Sequence, residues 1–379
     1  MLGDILTVGL DLRRLRPGAS GGVVQSQVGV FRELFVNASQ HRFVLFRNTG
    51  TAPLFDSLPR NVRLVALSPK ANHDDLGEWL AKNPIDILFR SYPESDFLDF
   101  PLHRQIVYIP DNQHDYLPNL FEPAELTARR RAFGAVLAGA AAIATISEFS
   151  RGSLASRAPA GRDIFLMSPA LQQEHLGLTL AGLGAADEAL VPQKPYFMYP
   201  ANLWPHKNHR AILAAFREFT RTALFPYAFV LTGDPWGWQD IAEEYRDIDV
   251  RHLGYVEPKL VAHLLRRATA LVFFSRFEGF GIPVLEAFHA GTPVLCSNVT
   301  SLPEVAGDAA LMADPEDVAA MAEAMRRIST ETALRRDLVA RGHKRLGAYS
   351  WRRSAENFMQ ACERVAVNAS GTVEKSNFA

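Results

Sequence analysis

The sequence predicts an α/β protein of two domains, each a doubly wound parallel sheet covered by helices. Three observations predict it. The chain has 379 residues, long for one domain and comfortable for two that each bury a core. Short apolar, β-branched runs alternate with helical patterns along its length, as in parallel strands joined by crossover helices. The alternation lapses once, in the small-residue stretch GLTLAGLGAADEALVPQKP, which reads as an interdomain linker.

The elements follow in order. ILTVGLDL is a first strand and VVQSQVGVFRELFV the helix after it; IDILF, QIVYI, AAIATIS and DIFLMS are the later strands of an N-terminal domain over residues 1–180. A second series opens with YFMYPAN, a helix from about His206, YAFVLTG and VRHLGYV, and continues with ALVFFS, PVLCS and AALMAD, over residues 195–348. SWRRSAENFMQACERV has helical spacing and makes a closing helix within residues 349–366; the polar residues 367–379 read as a disordered tail.

Composition removes several function classes. Forty Lys plus Arg against 41 Asp plus Glu gives a formal charge of −1 with no basic stripe, so no nucleic-acid partner is expected. Two cysteines, Cys296 and Cys362, allow neither a disulfide framework nor zinc spacing and fit a reducing cytoplasm. No apolar run approaches the roughly 18 residues that span a bilayer; a soluble chain is expected, with room for peripheral contact at a membrane face.

The chemistry concentrates in FEGFGIPVLEAFHAG, residues 277–291. ALVFFS is a buried strand, so the stretch leaves its carboxyl end, where doubly wound sheets bind ligands. Pro283 suits a first helical turn and Gly291 the position past the helix end, giving a helix from about Ile282 to Ala290. Gly279 and Gly281 let backbone approach a ligand, and the free N–H groups of the first turn favour a phosphate. Glu278 stands in the loop and Glu286 one turn into the helix, placed to bind hydroxyls of one extended ligand. A second reading has Glu286 facing solvent and Glu278 complementing the helix dipole; the residues alone leave both open.

Glu278 and Glu286, seven residues between them, followed by AGTPVLCSNVTSLPEVAGDAALMADPEDV, resemble the signature of retaining GT-B glycosyltransferases of family 4. MYPANLWPHKNHRAILAAF resembles that family's first C-domain strand and helix, RPGASGGVVQSQVGVFREL its N-terminal glycine loop, and YIPDNQHDYLPNLFEP with ATISEFSR its later N-domain strands. The resemblance implies two Rossmann-like domains facing a central cleft, an N-terminal acceptor domain, a C-terminal donor domain and a last helix that returns to the N-domain. It implies a hexosyltransferase working with retention and without metal or cofactor. Its partners would be a GDP- or UDP-linked sugar, mannose from GDP-mannose being the leading choice, and a glycan or lipid-linked acceptor of surface polysaccharide synthesis. It would sit in the cytoplasm or at the inner membrane face.

By the same resemblance, Glu286 binds the donor ribose, Glu278 lies beside the donor sugar, and Phe280, Gly281 and Ile282 offer backbone contacts. Lys207 matches the diphosphate-binding lysine; a dianionic leaving group needs such a cation. Asn202 stands where relatives often carry an arginine, with His206, His209 or Arg210 as candidate replacements. Gly233, Tyr255 and Val256 lie along the nucleotide, Gly21 and Gly22 approach its phosphates, and His114, in PDNQH, takes the place of the family's N-domain histidine. The catalytic set is His114, Lys207 and Glu278.

Other signals are read as structural. Asp247-Ile248-Asp249 is a pair of turn acids, Ser301 with Glu304 a capping box, and Trp204, Trp236 and Trp238 packing aromatics, Trp204 being the best cleft candidate among them. A catalytically silent scaffold subunit and a GT-B transferase or epimerase acting on a small soluble sugar are the rival functions.

Overall fold

A computed structural model describes residues 5–16, 21–49, 53–55, 57–67, 73–94, 100–171 and 183–376. Residues 17–20 of the glycine loop and residues 177–182 of the linker stretch lie outside them.

The chain divides into two compact units, Met1–Pro169 with Ser350–Ala379, and Ala170–Tyr349. The first holds seven parallel strands: β1 (Thr7–Asp11), β2 (Arg42–Asn48), β3 (Val62–Leu67), β4 (Ile87–Arg90), β5 (Gln105–Tyr108), β6 (Ala142–Thr145) and β7 (Asp163–Leu166), in the order β3-β2-β1-β4-β5-β6-β7. β4, β5 and β6 are buried along their whole length, so their continuous apolar runs need no alternation. β2 and β3 were not among the strands expected above. β3 is the edge strand and most of it faces solvent, which weakens its apolar signal, whereas the FVLF of β2 is buried and was legible.

The closing helix, Trp351–Ser376, belongs to this first unit and continues past Val365, where the apolar spacing stops. Ala355, Phe358, Ala361, Cys362 and Val365 form its buried stripe. Phe358 meets Phe31 and Phe89 edge-on at 5.6 and 5.5 Å. Gly29, on the helix Gly21–Asn37, leaves the space that the Trp351 ring occupies: a Cβ there would lie 2.6 Å from the ring. Ser354 and Asn357 donate to the carbonyls of Ser168 (2.8 Å) and Leu166 (3.0 Å).

The second unit holds β8 (Tyr196–Pro200), β9 (Ala228–Thr232), β10 (Val250–His252), β11 (Ala270–Phe273), β12 (Val294–Ser297) and β13 (Ala310–Ala313), parallel, in the order β10-β9-β8-β11-β12-β13. Both units are thus Rossmann-like sheets. In each, the strand order reverses once, and in the second unit it reverses between β8 and β11. Connections run to opposite faces on either side of that point, which opens a crevice at the carboxyl ends of the two strands.

Candidate functional site

The loops leaving β8 and β11 meet at this crevice. After β8 the chain makes a 3-10 turn, Pro205–Lys207, before the helix His209–Thr222; the helix expected from about His206 starts three residues later because Asn208 is left-handed, φ 62°. Asn208 is buried and its Nδ2 donates to the carbonyls of Phe274 (3.1 Å) and Pro315 (2.7 Å), tying the turn to the loops after β11 and β13. The Tyr199 hydroxyl donates to the Lys207 carbonyl (2.9 Å) and meets Ser275 Oγ at 2.8 Å. Burial holds the Tyr199 phenol well above its usual pKa, so this link stays uncharged and intact at neutral pH.

These braces set Lys207 Nζ 2.7 Å from Glu278 Oε1, with the two side chains only 15% and 11% exposed, and 5.5 Å from the centre of the Phe273 ring. The Glu278 loop is braced as well. Its N–H donates to Thr300 Oγ1 (3.2 Å), and Ser301 Oγ reaches the carbonyls of Glu278 (2.8 Å) and Phe280 (2.9 Å). The expected capping box is therefore corrected: Ser301 is the N-cap residue of Leu302–Ala306 but caps nothing with its side chain, because its hydroxyl is spent on the glutamate loop. Thr300 has φ 56°. Among the described residues it and Asn208 are the two non-glycine residues with positive φ, and each adjoins this crevice. A β-branched residue there carries strain that the surroundings must enforce, a pattern common at functional sites.

The helix after the glutamate loop spans Ile282–Ala290, with Gly281 as N-cap (φ 112°), no side-chain cap, and Gly291 closing it at φ 72°. Pro283 has no N–H and the Val284 N–H donates to the Gly281 carbonyl (3.0 Å), so the Ile282 N–H and the helix dipole are what this helix start offers an anion. A Cβ at Gly281 would fall 2.7 Å from Leu302, so glycine is required sterically as well. Phe280 is buried with its ring edge-on to Tyr349 at 5.2 Å, while Ile282 is half-buried. Glu286, also half-buried, lines a pocket with Val261, Leu265 and His289.

The remaining C-terminal candidates lie on neighbouring loops. Asn202 Oδ1 accepts the Asp234 N–H (2.9 Å), and the Gly233 N–H (φ 125°) donates to the Gly254 carbonyl (2.9 Å), so the loops after β8, β9 and β10 are tied in series. Tyr255 is exposed and Val256 half-buried. The three groups named as replacements for the absent arginine do not carry free positive charge here. Burial, then Lys207, pushes His206 down to about 4, and burial pushes His209, which stacks on Tyr199 at 4.8 Å, down to about 3. Arg210 is paired with Glu244.

In the first unit, Gly21 and Gly22 open the helix Gly21–Asn37, both exposed. His114 is 2% exposed, edge-on to Phe133 at 4.6 Å and 3.8 Å from Asp115, and burial lowers its pKa. Asp247 and Asp249 sit on separate surface pairs, with Arg217 and with Lys194 and Arg251. The tryptophans depart from packing roles: Trp236 is 84% and Trp204 52% exposed, and only Trp238 is half-buried, tilted against His252 at 5.1 Å. Sequence reasoning did not find Tyr199, Asn208, Ser275 or Thr300. All four lie inside stretches quoted above, but their roles exist only once β8, β11 and β12 are neighbours.

Residues 185–345 match the family model described as Glycosyl transferases group 1. The O-antigen chain mannosyltransferase B of Escherichia coli is 29% identical over 327 residues, 79% of this chain and 85% of that protein. The phosphatidyl-myo-inositol mannosyltransferase of Mycolicibacterium smegmatis is 30% identical over 43% of each chain. In fold, the chain is similar to the sucrose-phosphate synthase of Thermosynechococcus elongatus (TM-score 0.73, 19% identity, 98% of this chain and 99% of that one). It is also similar to WaaG, a glycosyltransferase involved in lipopolysaccharide biosynthesis (TM-score 0.67, 16% identity, 94% and 99%).

Proposed function

We propose that this chain, whose fold is GT-B and whose residues 185–345 match the group 1 glycosyltransferase model, is a glycosyltransferase that transfers mannose from GDP-mannose, with retention and without a metal ion. The acceptor is a glycan or lipid-linked glycan of surface polysaccharide synthesis. One observation carries the reading: a lysine and a glutamate 2.7 Å apart at the strand-order reversal, beside an uncapped helix start.

The donor diphosphate docks at the N-terminus of Ile282–Ala290, where the Ile282 N–H and the helix dipole favour negative charge. Lys207 turns from Glu278 to the phosphate oxygens and stabilises the charge that grows as the sugar–phosphate bond breaks. Glu278, released from the lysine, accepts hydrogen bonds from sugar hydroxyls, and Glu286 accepts from the ribose. The base lies near Tyr255 and Val256. The acceptor hydroxyl attacks the anomeric carbon on the leaving-group face and its proton passes to the departing diphosphate oxygen. Gly21, Gly22 and His114 serve the sugar and phosphate end from the N-terminal unit. The reaction is assigned to the cytoplasm or to the inner membrane face. Among the described residues, no helix is long and apolar enough to cross a membrane.

Asn202 at a position where relatives often carry an arginine favours a second reading, a nucleotide-binding subunit without turnover. Calorimetric titration with GDP, UDP, GDP-mannose and UDP-glucose, with and without EDTA, tests both. EDTA-insensitive binding of guanine nucleotides that is lost in Glu286→Ala, together with transfer from GDP-mannose, supports the enzyme. Binding without transfer supports the silent subunit, and binding of no nucleotide overturns both.

A further inference from the structure

We infer that His206 takes up a proton from solvent when the donor diphosphate docks, and that the imidazolium so formed shares with Lys207 the charge of the leaving group. The inference rests on the donor site proposed above and adds a second cation to it.

A nucleotide-sugar diphosphate carries two negative charges, and more charge gathers on its leaving oxygen as the sugar–phosphate bond breaks. The crevice meets it with little. Lys207 is one cation, and the helix start adds the Ile282 N–H and a dipole. The polar groups nearest in the chain are committed elsewhere. Asn202 Oδ1 accepts the Asp234 N–H, Arg210 is paired with Glu244, and Arg276 holds Glu316 through Nε and Nη2. His209 is 5% exposed, stacked on Tyr199 and hydrogen-bonded to the Ala201 backbone, so its ring is closed to a ligand.

His206 is placed differently. It is the middle residue of the turn Pro205–Lys207, and its carbonyl accepts the Arg276 N–H (2.8 Å), which fastens it to the loop that carries Glu278. Its ring is half-buried, tilted against Trp204 with centroids 5.7 Å apart, and within electrostatic reach of both members of the ion pair. Lys207 and Glu278 are the charged groups that act on it; His209, on the following helix, is neutral, and the Arg276 guanidinium is held by Glu316.

Burial, then Lys207, keeps the ring neutral in the free protein, while Glu278 draws it the other way. Docking reverses that balance. The diphosphate engages Lys207, which offsets the lysine's repulsion, and brings two negative charges to the ring. An imidazole there gains a proton and with it a second N–H donor. A permanent second cation would repel Lys207 in the empty site, whereas an imidazole is charged only while the diphosphate is present.

The test uses the full chain with GDP-mannose and UDP-glucose, whose diphosphates do not titrate around neutral pH, so a proton taken up goes to the protein. Calorimetry in buffers of different ionisation enthalpy should show uptake by wild type that approaches one proton at about pH 6 and fades by about pH 8, with affinity rising as pH falls. His206→Asn should bind about tenfold more weakly at about pH 6, the scale of one charge-assisted hydrogen bond, with neither uptake nor pH slope. His206→Arg should keep the affinity across that range without uptake. Binding by wild type without proton uptake overturns the inference, as does uptake that persists in His206→Asn. If His206→Asn does not fold, loss or persistence of uptake in His206→Arg decides in its place. Failure of wild type to bind either nucleotide sugar sinks the donor site itself, and the proton with it.

Discussion

Breaking the Lys207–Glu278 pair should reveal whether it is a donor site held closed or only a structural ion pair. At 2.7 Å and an effective dielectric near 20, the attraction is about 6 kcal/mol before desolvation is counted. Both side chains are largely buried, so removing one leaves the other charged without its partner; Lys207→Met or Glu278→Gln should each cost about 2–4 kcal/mol. The double variant leaves no orphaned charge and should cost about 2 kcal/mol less than the sum of the two. Urea unfolding, followed by the fluorescence of the tryptophans of the C-terminal unit, measures this coupling. The pair also has a function to lose. Lys207→Met should lower transfer about 10²–10³-fold, as removal of one charge-stabilising group does, and weaken GDP far more than guanosine. Strict additivity of the stability losses would refute the pairing energy, and normal turnover by Lys207→Met would refute the leaving-group role whatever the stabilities.

Four further outcomes follow from the geometry. Asn208→Ala loses two buried hydrogen bonds and puts Ala at φ 62°, so unfolding should be easier by about 3 kcal/mol, and Asn208→Gly by less because only the hydrogen bonds are lost. His206 and His209 titrate near 4 and 3 in the folded chain against 6.5 when unfolded. The unfolded chain therefore binds more protons below pH 6.5, and stability present above pH 6.5 should fall as pH drops toward 4, by roughly 2–3 kcal/mol per histidine at pH 4.5; Tm flat over that window contradicts it. Gly29→Ala drives a Cβ into the Trp351 ring and should destabilise the first unit by about 1–3 kcal/mol despite the better helix propensity, readable as loss of hydrogen-exchange protection in the closing helix. His114→Asn should reduce turnover without reducing stability if the imidazole serves the sugar; equal losses in both assign it to packing against Phe133.

Parallel strands buried on both faces leave continuous apolar runs, so the two-sheet fold, the helix Ile282–Ala290 and its glycine borders followed from local sequence. So did the pairing of chemistry with the β11 loop, because a motif of fixed spacing keeps its meaning wherever the sheet lies. The edge strand β3 did not, although VRLVAL is mostly apolar, because much of it faces water and no alternation marks a buried face. Ser301 shows why the rest was hidden: its spacing to Glu304 is that of a capping box, yet its hydroxyl meets carbonyls 23 and 21 residues back in the chain. Likewise Lys207 and Glu278, both in the expected catalytic set, are 71 residues apart, and no local spacing announced that they form an ion pair. Local spacing determines which conformation a segment prefers; which groups become partners is decided by strand order. The crossing from β8 to β11 brings those two loops together, and Tyr199, Asn208 and Thr300 then hold the charges in place.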